Sequence, residues 1–124
     1  MIFKTESKQT TISKKVSLKG VGLHTGQEVE INFLPAEIND GYKFCRIDLE
    51  GHPIINADAN LVTNTQRGTC LEKNGVTIQT CEHVLAALVG LEIDNVIIEL
   101  SASEPPIMDG SSKYFIEALE SAEI

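Results

Sequence analysis

The sequence predicts an α+β fold: a two-layer sandwich in which two helices cover one face of a mixed β-sheet, with a small antiparallel sheet inserted. Three observations carry this reading. A run of strand-like segments is followed by a helix, a strand and a helix, an order that places helices against a sheet. Two stretches, one after Thr80 and one after Ser111 and Ser112, carry apolar residues at helical spacing. Elsewhere β-branched and polar residues alternate with the two-residue period of a half-buried strand. With 124 residues the chain forms one domain, long enough to bury roughly two thirds of its unfolded surface.

The elements follow in order. Residues 1–8 read as a frayed terminus. Thr10 to Leu18 alternate as a first strand, and Gly20, Gly22 and Gly26 punctuate a loop. Val29, Ile31 and Phe33 mark a second strand ending at Pro35. Asn39-Asp40-Gly41 is a turn signal, and Tyr42 to Leu49 a third strand, so the first three are expected to form a meander. Ile54, Ile55 and Ala57 suggest a short strand, Leu61 and Val62 at most another. Thr65–Leu71 and Val76–Gln79 are the arms of a hairpin around Lys73-Asn74-Gly75, because Asn-Gly suits a turn needing two positive φ angles. Thr80 is the expected N-cap of the first helix, with Val84, Leu85, Leu88 and Val89 as its apolar stripe. Gly90 is expected to end it in the left-handed conformation. Asn95 to Leu100 form a strand, with Val96, Ile98 and Leu100 facing one way. Ser103 to Gly110 are a proline-stiffened loop. Ser111 or Ser112 caps a last helix that buries Phe115, Ile116 and Leu119.

Composition narrows the function. Ten basic against eighteen acidic residues give a net charge of −8, which argues against gripping a nucleic-acid backbone. Three cysteines, Cys45, Cys70 and Cys81, without CxxC spacing, read as buried thiols in a reducing compartment. No signal peptide is visible, and the longest apolar tract, Val84 to Leu91, is too short to span a bilayer. The expectation is a soluble cytoplasmic chain that is not transmembrane.

Glu82-His83 is the sharpest chemical feature. Both fall in the first helical turn, where the positive end of the helix dipole favours the neutral imidazole that a metal takes. Adjacent positions diverge by about 100°, which suits a general base beside a metal ligand; two polar residues on a solvated turn is the alternative. Ala87, four residues beyond His83, excludes an HExxH-type second ligand, and a complete zinc site inside the chain is not expected. Gly20-x-Gly22 leads into a strand, so a dinucleotide loop is excluded; His24 is what keeps that loop of functional interest. His52 reaches a site only through tertiary structure. Arg67 faces either solvent or a substrate, and Asp109 reads as a turn or cap residue.

Four motifs occur in register: Gly20-Val21-Gly22-Leu23-His24-Thr25-Gly26, Cys81-Glu82-His83-Val84-Leu85-Ala86-Ala87-Leu88, Gly90-Leu91-Glu92-Ile93-Asp94-Asn95 and Pro106-Ile107-Met108-Asp109-Gly110-Ser111. Together they resemble the N-terminal half of UDP-3-O-acyl-N-acetylglucosamine deacetylase of lipid A biosynthesis in Gram-negative bacteria. The resemblance implies two similar domains with the active site between them. It implies Zn2+ held by His83 and by residues of the second domain, and Glu82 as the general base that activates the attacking water. It places His24 near the substrate and makes the tract from Asn56 to Thr80 an inserted sheet. Residues 1–124 would be the first domain, with the second domain of the same polypeptide and the UDP-sugar lipid as partners. Alone, the chain is then expected to be inactive and to bind zinc poorly. Thr65-Gln66-Arg67-Gly68-Thr69 departs from the more apolar family pattern. Outside the resemblance, a non-catalytic two-layer binding or interaction domain is the alternative.

Overall fold

The computed structural model describes residues 9–58, 61–65 and 68–124, with the backbone alone at residues 63–65. The expected frayed terminus at residues 1–8 and Arg67 lie outside the described residues. Those residues form eight strands, β1 (Val16–Val21), β2 (Glu28–Pro35), β3 (Tyr42–Arg46), β4 (Ile54–Asn56), β5 (Val62–Thr65), β6 (Gly68–Lys73), β7 (Val76–Ile78) and β8 (Val96–Leu100), and two helices, α1 (Glu82–Gly90) and α2 (Lys113–Ser121). The main sheet runs β1-β2-β8-β3-β4, and β5-β6-β7 form a separate three-stranded sheet. This is the expected α+β sandwich with its inserted antiparallel sheet.

The first three strands are not a meander. β8 lies between β2 and β3, antiparallel to the first and parallel to the second. The reason is burial: β8 is Val-Ile-Ile-Glu-Leu with alternate residues fully buried, and so apolar a strand gains most at the centre of a sheet. The parallel β3–β8 pair requires a long crossover, which carries the small sheet and α1. One row of side chains crosses all five strands, Val16–Phe33–Ile98–Phe44–Ile55. The two helices close over it with Val84, Ala87 and Leu88 of α1 and Phe115 and Leu119 of α2. The Phe115 ring meets Phe33 edge-on, 6.4 Å between centroids.

Several boundaries differ from expectation, each for a tertiary reason. Ile12 is buried in the core, but β1 begins only at Val16. The backbone before it bonds to turns: the Thr10 carbonyl accepts from the Asp94 and Asn95 amides, and the Ser13 amide donates to the Ala122 and Glu123 carbonyls. Gly20 belongs to β1, paired with Val29, so the connecting loop starts only at Gly22. β3 stops at Arg46, whose guanidinium bonds both oxygens of Asp48 at 2.9 and 2.8 Å and the Thr77 carbonyl at 2.8 Å. This ties the main sheet to β7, and the guanidinium holds the Asp48 carboxyl below its ordinary value.

Both helix termini of α1 also depart from expectation. Thr80 is not the N-cap: it sits at φ +55° and Cys81 precedes the first helical residue, without a side-chain cap. The helix nonetheless begins one residue after Cys81, as expected. Gly90 stays helical, and Glu92 takes the left-handed conformation at φ +57°. The Glu92 and Ile93 amides return to the Val89 and Leu88 carbonyls, a Schellman closure in which buried Ile93 packs near buried Leu88. Val89 is 65% exposed, so the buried stripe is Val84, Ala87 and Leu88. At the hairpin, Asn74 and Gly75 take φ +54° and +79°, as the turn type requires.

Candidate active site

Three distant segments meet at the start of α1. The β1–β2 loop brings Leu23 and His24, the first residue of β6 brings Gly68, and the entry to α1 brings Thr80, Glu82 and His83. With Ile107 they line one cleft of about 330 Å³. His24 and Glu82 are 58 residues apart in the chain.

Each side chain is placed by backbone contacts. The hairpin arm is stitched to the first turn of α1 through Thr69, whose carbonyl accepts from the Cys81 amide at 3.0 Å and whose amide donates to Glu82 Oε2 at 2.8 Å. That bond fixes the direction of the Glu82 carboxylate. The His83 carbonyl accepts from the Ser112 hydroxyl at 3.0 Å, which couples this turn to the start of α2. Glu82 and His83 are the first two helical residues, so their side chains diverge along the wall. Neither is fully buried, so both keep access to the cleft.

Gly68 is required here. It has φ +87°, and a Cβ would collide with Glu82 Oε2 and stand 3.0 Å from the Glu82 carboxyl carbon. Gly68→Ala is therefore expected to lower stability by ~1–2 kcal/mol through left-handed strain and to push the Glu82 carboxylate aside. Urea denaturation reads the first effect, and an unchanged midpoint would refute the strain.

The other residues singled out in the sequence separate cleanly. Asp109 is a turn residue: its Oδ1 accepts from the amide and hydroxyl of Ser111 at 3.0 and 2.7 Å. His52 sits in the β3–β4 connection at φ +44° and does not line the cleft. The three cysteines are buried and form no disulfide with one another. Burial, then the Glu82 carboxylate and Cys70, push the Cys81 thiol up to about 12, so its reactive thiolate is scarce. At pH 8 the native chain should alkylate at Cys81 at least ~100-fold more slowly than the urea-unfolded chain, as peptide mapping after iodoacetamide would read. Comparable rates would mean that the helix start opens readily. No helix among the described residues is long and apolar enough to cross a membrane.

Comparison with known proteins places the chain. Residues 9–124 match the LpxC family model, UDP-3-O-acyl N-acetylglycosamine deacetylase. The chain belongs to the LpxC family. It is 51% identical over 113 residues to a bifunctional LpxC/FabZ enzyme of Bacteroides thetaiotaomicron, covering 91% of this chain and 24% of that protein. It is 45% identical over 117 residues to UDP-3-O-acyl-N-acetylglucosamine deacetylase of Psychrobacter sp., covering 94% and 39%. Identity to the deacetylase of Xanthomonas oryzae pv. oryzae is 48% over 118 residues, covering 95% and 39%. The chain thus spans a quarter to two fifths of the length of these relatives.

Of the residues singled out in the sequence, Glu82, His83 and His24 line this cleft; Thr80 and Gly68 line it too and Glu104 lies beside it, and none of these three stands out in the sequence as part of a site. Thr80 has the hydroxyl of a cap, but it sits at φ +55° in the connection from β7 to α1. Gly68 carried no signal beyond being a glycine near a hairpin. Glu104 stood among prolines in an anonymous loop, yet it is fully buried.

Proposed function

We propose that this domain supplies the general base and one zinc ligand of a deacetylase that hydrolyses the acetamide of UDP-3-O-acyl-N-acetylglucosamine in lipid A biosynthesis. The observation that carries the reading is the convergence of Glu82, His83 and His24 on one cleft, with the carboxylate aimed by the Thr69 amide. Glu82 is the base: its carboxylate takes the proton of the attacking water, and the Thr69 bond keeps it at a fixed angle during the transfer. His83 offers one imidazole nitrogen from the neighbouring helical position and is the metal ligand of this domain. His24, which lines the same cleft, contacts the substrate.

The donor set fits a share of a zinc site. Among the described residues no group of three or more His, Cys, Asp or Glu is placed to hold a metal, whereas a catalytic zinc takes about three protein ligands. The others are assigned to the second domain of the same polypeptide, which would also cover exposed Leu23 in the cleft and exposed Val21 near it in sequence. When bound, Zn2+ polarises the amide carbonyl and makes water a stronger acid. The setting is cytoplasmic, with the UDP-sugar lipid as substrate and no nucleic-acid partner.

The test compares the full-length protein with residues 1–124. The full-length protein should release acetate from UDP-3-O-acyl-N-acetylglucosamine, lose turnover on chelation and regain it with zinc. The 124-residue chain should show no turnover and no tight stoichiometric zinc in calorimetry. A zinc-replete full-length protein without deacetylase activity would overturn the function. Tight zinc in the short chain would overturn the division of ligands.

A further inference from the structure

Beside the cleft lies a carboxylate to which the reaction assigns no role. Glu104 is 0% exposed. Its Oε1 accepts from the His24 amide at 3.1 Å and its Oε2 from the Thr25 amide at 3.0 Å. A buried carboxylate is costly unless hydrogen-bonded, and here both oxygens are engaged by two successive amides of one loop. The fit is close: a Cβ at Gly22 would stand 2.9 Å from the Glu104 carboxyl carbon and 2.6 Å from Thr25 Oγ1.

The segment that carries Glu104 touches both the His24 loop and the approach to α1. The Ser103 carbonyl accepts from the Gln79 amide at 2.6 Å, one residue before Thr80. Pro106 bridges to Gly22, and the Ile107 amide donates to the Val21 carbonyl at 2.8 Å. Ile107 itself lines the cleft with His24, Glu82 and His83. One short stretch therefore registers the His24 loop against the approach to α1.

We propose that Glu104 is a positioning residue: it clamps the His24–Thr25 backbone so that His24 is held in the cleft that Glu82 and His83 also line. Glu104 does not line the cleft and acts through His24. The inference rests on the reading of this cleft as the deacetylase site. Two features suit it to the task. A carboxylate presents a separate acceptor oxygen to each of the two amides, which a neutral amide side chain cannot do because the other half of its polar end donates. The charge also strengthens each bond relative to a neutral acceptor.

The test is a double-mutant cycle in the full-length protein with Glu104→Gln, His24→Ala and the pair, with Glu82→Ala as reference. Displacing a group that contacts substrate by about 1 Å can cost ~100-fold, so Glu104→Gln should lower kcat by ~10–100-fold while zinc content stays constant. In the pair, the Glu104 change should add nothing to His24→Ala, since it acts through that residue. Hydrogen exchange in peptides covering residues 22–27 should quicken in Glu104→Gln. Additive losses, unchanged kcat or unchanged exchange would overturn the proposal. Full activity in His24→Ala with an inactive Glu82→Ala would also overturn it while leaving the site in place. Full activity in Glu82→Ala would instead sink the site, and this inference with it. If Glu104→Gln does not fold, Gly22→Ala presses on the same carboxylate and enters the same cycle, judged by the same outcomes.

Discussion

Glu82→Ala in the full-length protein will reduce turnover by ~10²–10⁴-fold, the usual loss for a general base, and leave its zinc in place. His83→Ala will instead lose the metal, and activity with it. The two residues are adjacent in sequence, so the contrast is a strict test of their roles. They occupy the first two positions of α1 and therefore point in different directions. Only Glu82 has its carboxylate anchored to the hairpin, through the Thr69 amide, an arrangement that suits a group moving a proton from a fixed position. Metal analysis beside a deacetylation assay separates the outcomes. Equal metal loss in both variants would show that Glu82 is a ligand and would refute the assignment.

The second large effect is on stability. Phe33→Ala is expected to cost ~3–5 kcal/mol, a large part of the ~5–15 kcal/mol that holds an ordinary domain folded. Phe33 has no exposed surface and stands in the row that crosses the sheet, between Val16 and Ile98. Its ring meets Phe115 edge-on, so removing it opens a cavity between sheet and α2 that backbone hydrogen bonds prevent from closing. Val89→Ala, at a position 65% exposed, should stay within ~0.5 kcal/mol. Urea denaturation of both variants makes the comparison, and a loss under ~1 kcal/mol for Phe33→Ala would mean that the core collapses to fill the space.

Local physics made much of the molecule legible in advance. The alternation in β2 and β8, the Asn74-Gly75 turn and the start of α1 all follow from residues within a few positions of one another. Glu82 and His83 were visible for the same reason, since a helix start fixes where its first two side chains stand. Gly90 shows the boundary of such reasoning. The closure falls at Glu92 because Leu88 and Ile93 both reach the core and set where the chain must turn.

By itself, then, the sequence determined the α+β class, the hairpin turn, both helices and the placement of Glu82 and His83 at a helix start, because each depends on short-range periodicity or turn chemistry. Tertiary structure alone decided that β8 lies between β2 and β3, that His24 shares a cleft with Glu82 and His83, that Gly68 makes room for the Glu82 carboxylate and that Glu104 is buried under the His24 loop. These are contacts between segments tens of residues apart. Their energy comes from burial and hydrogen bonds that exist only after the sheet has assembled, so no local pattern of residues encodes them.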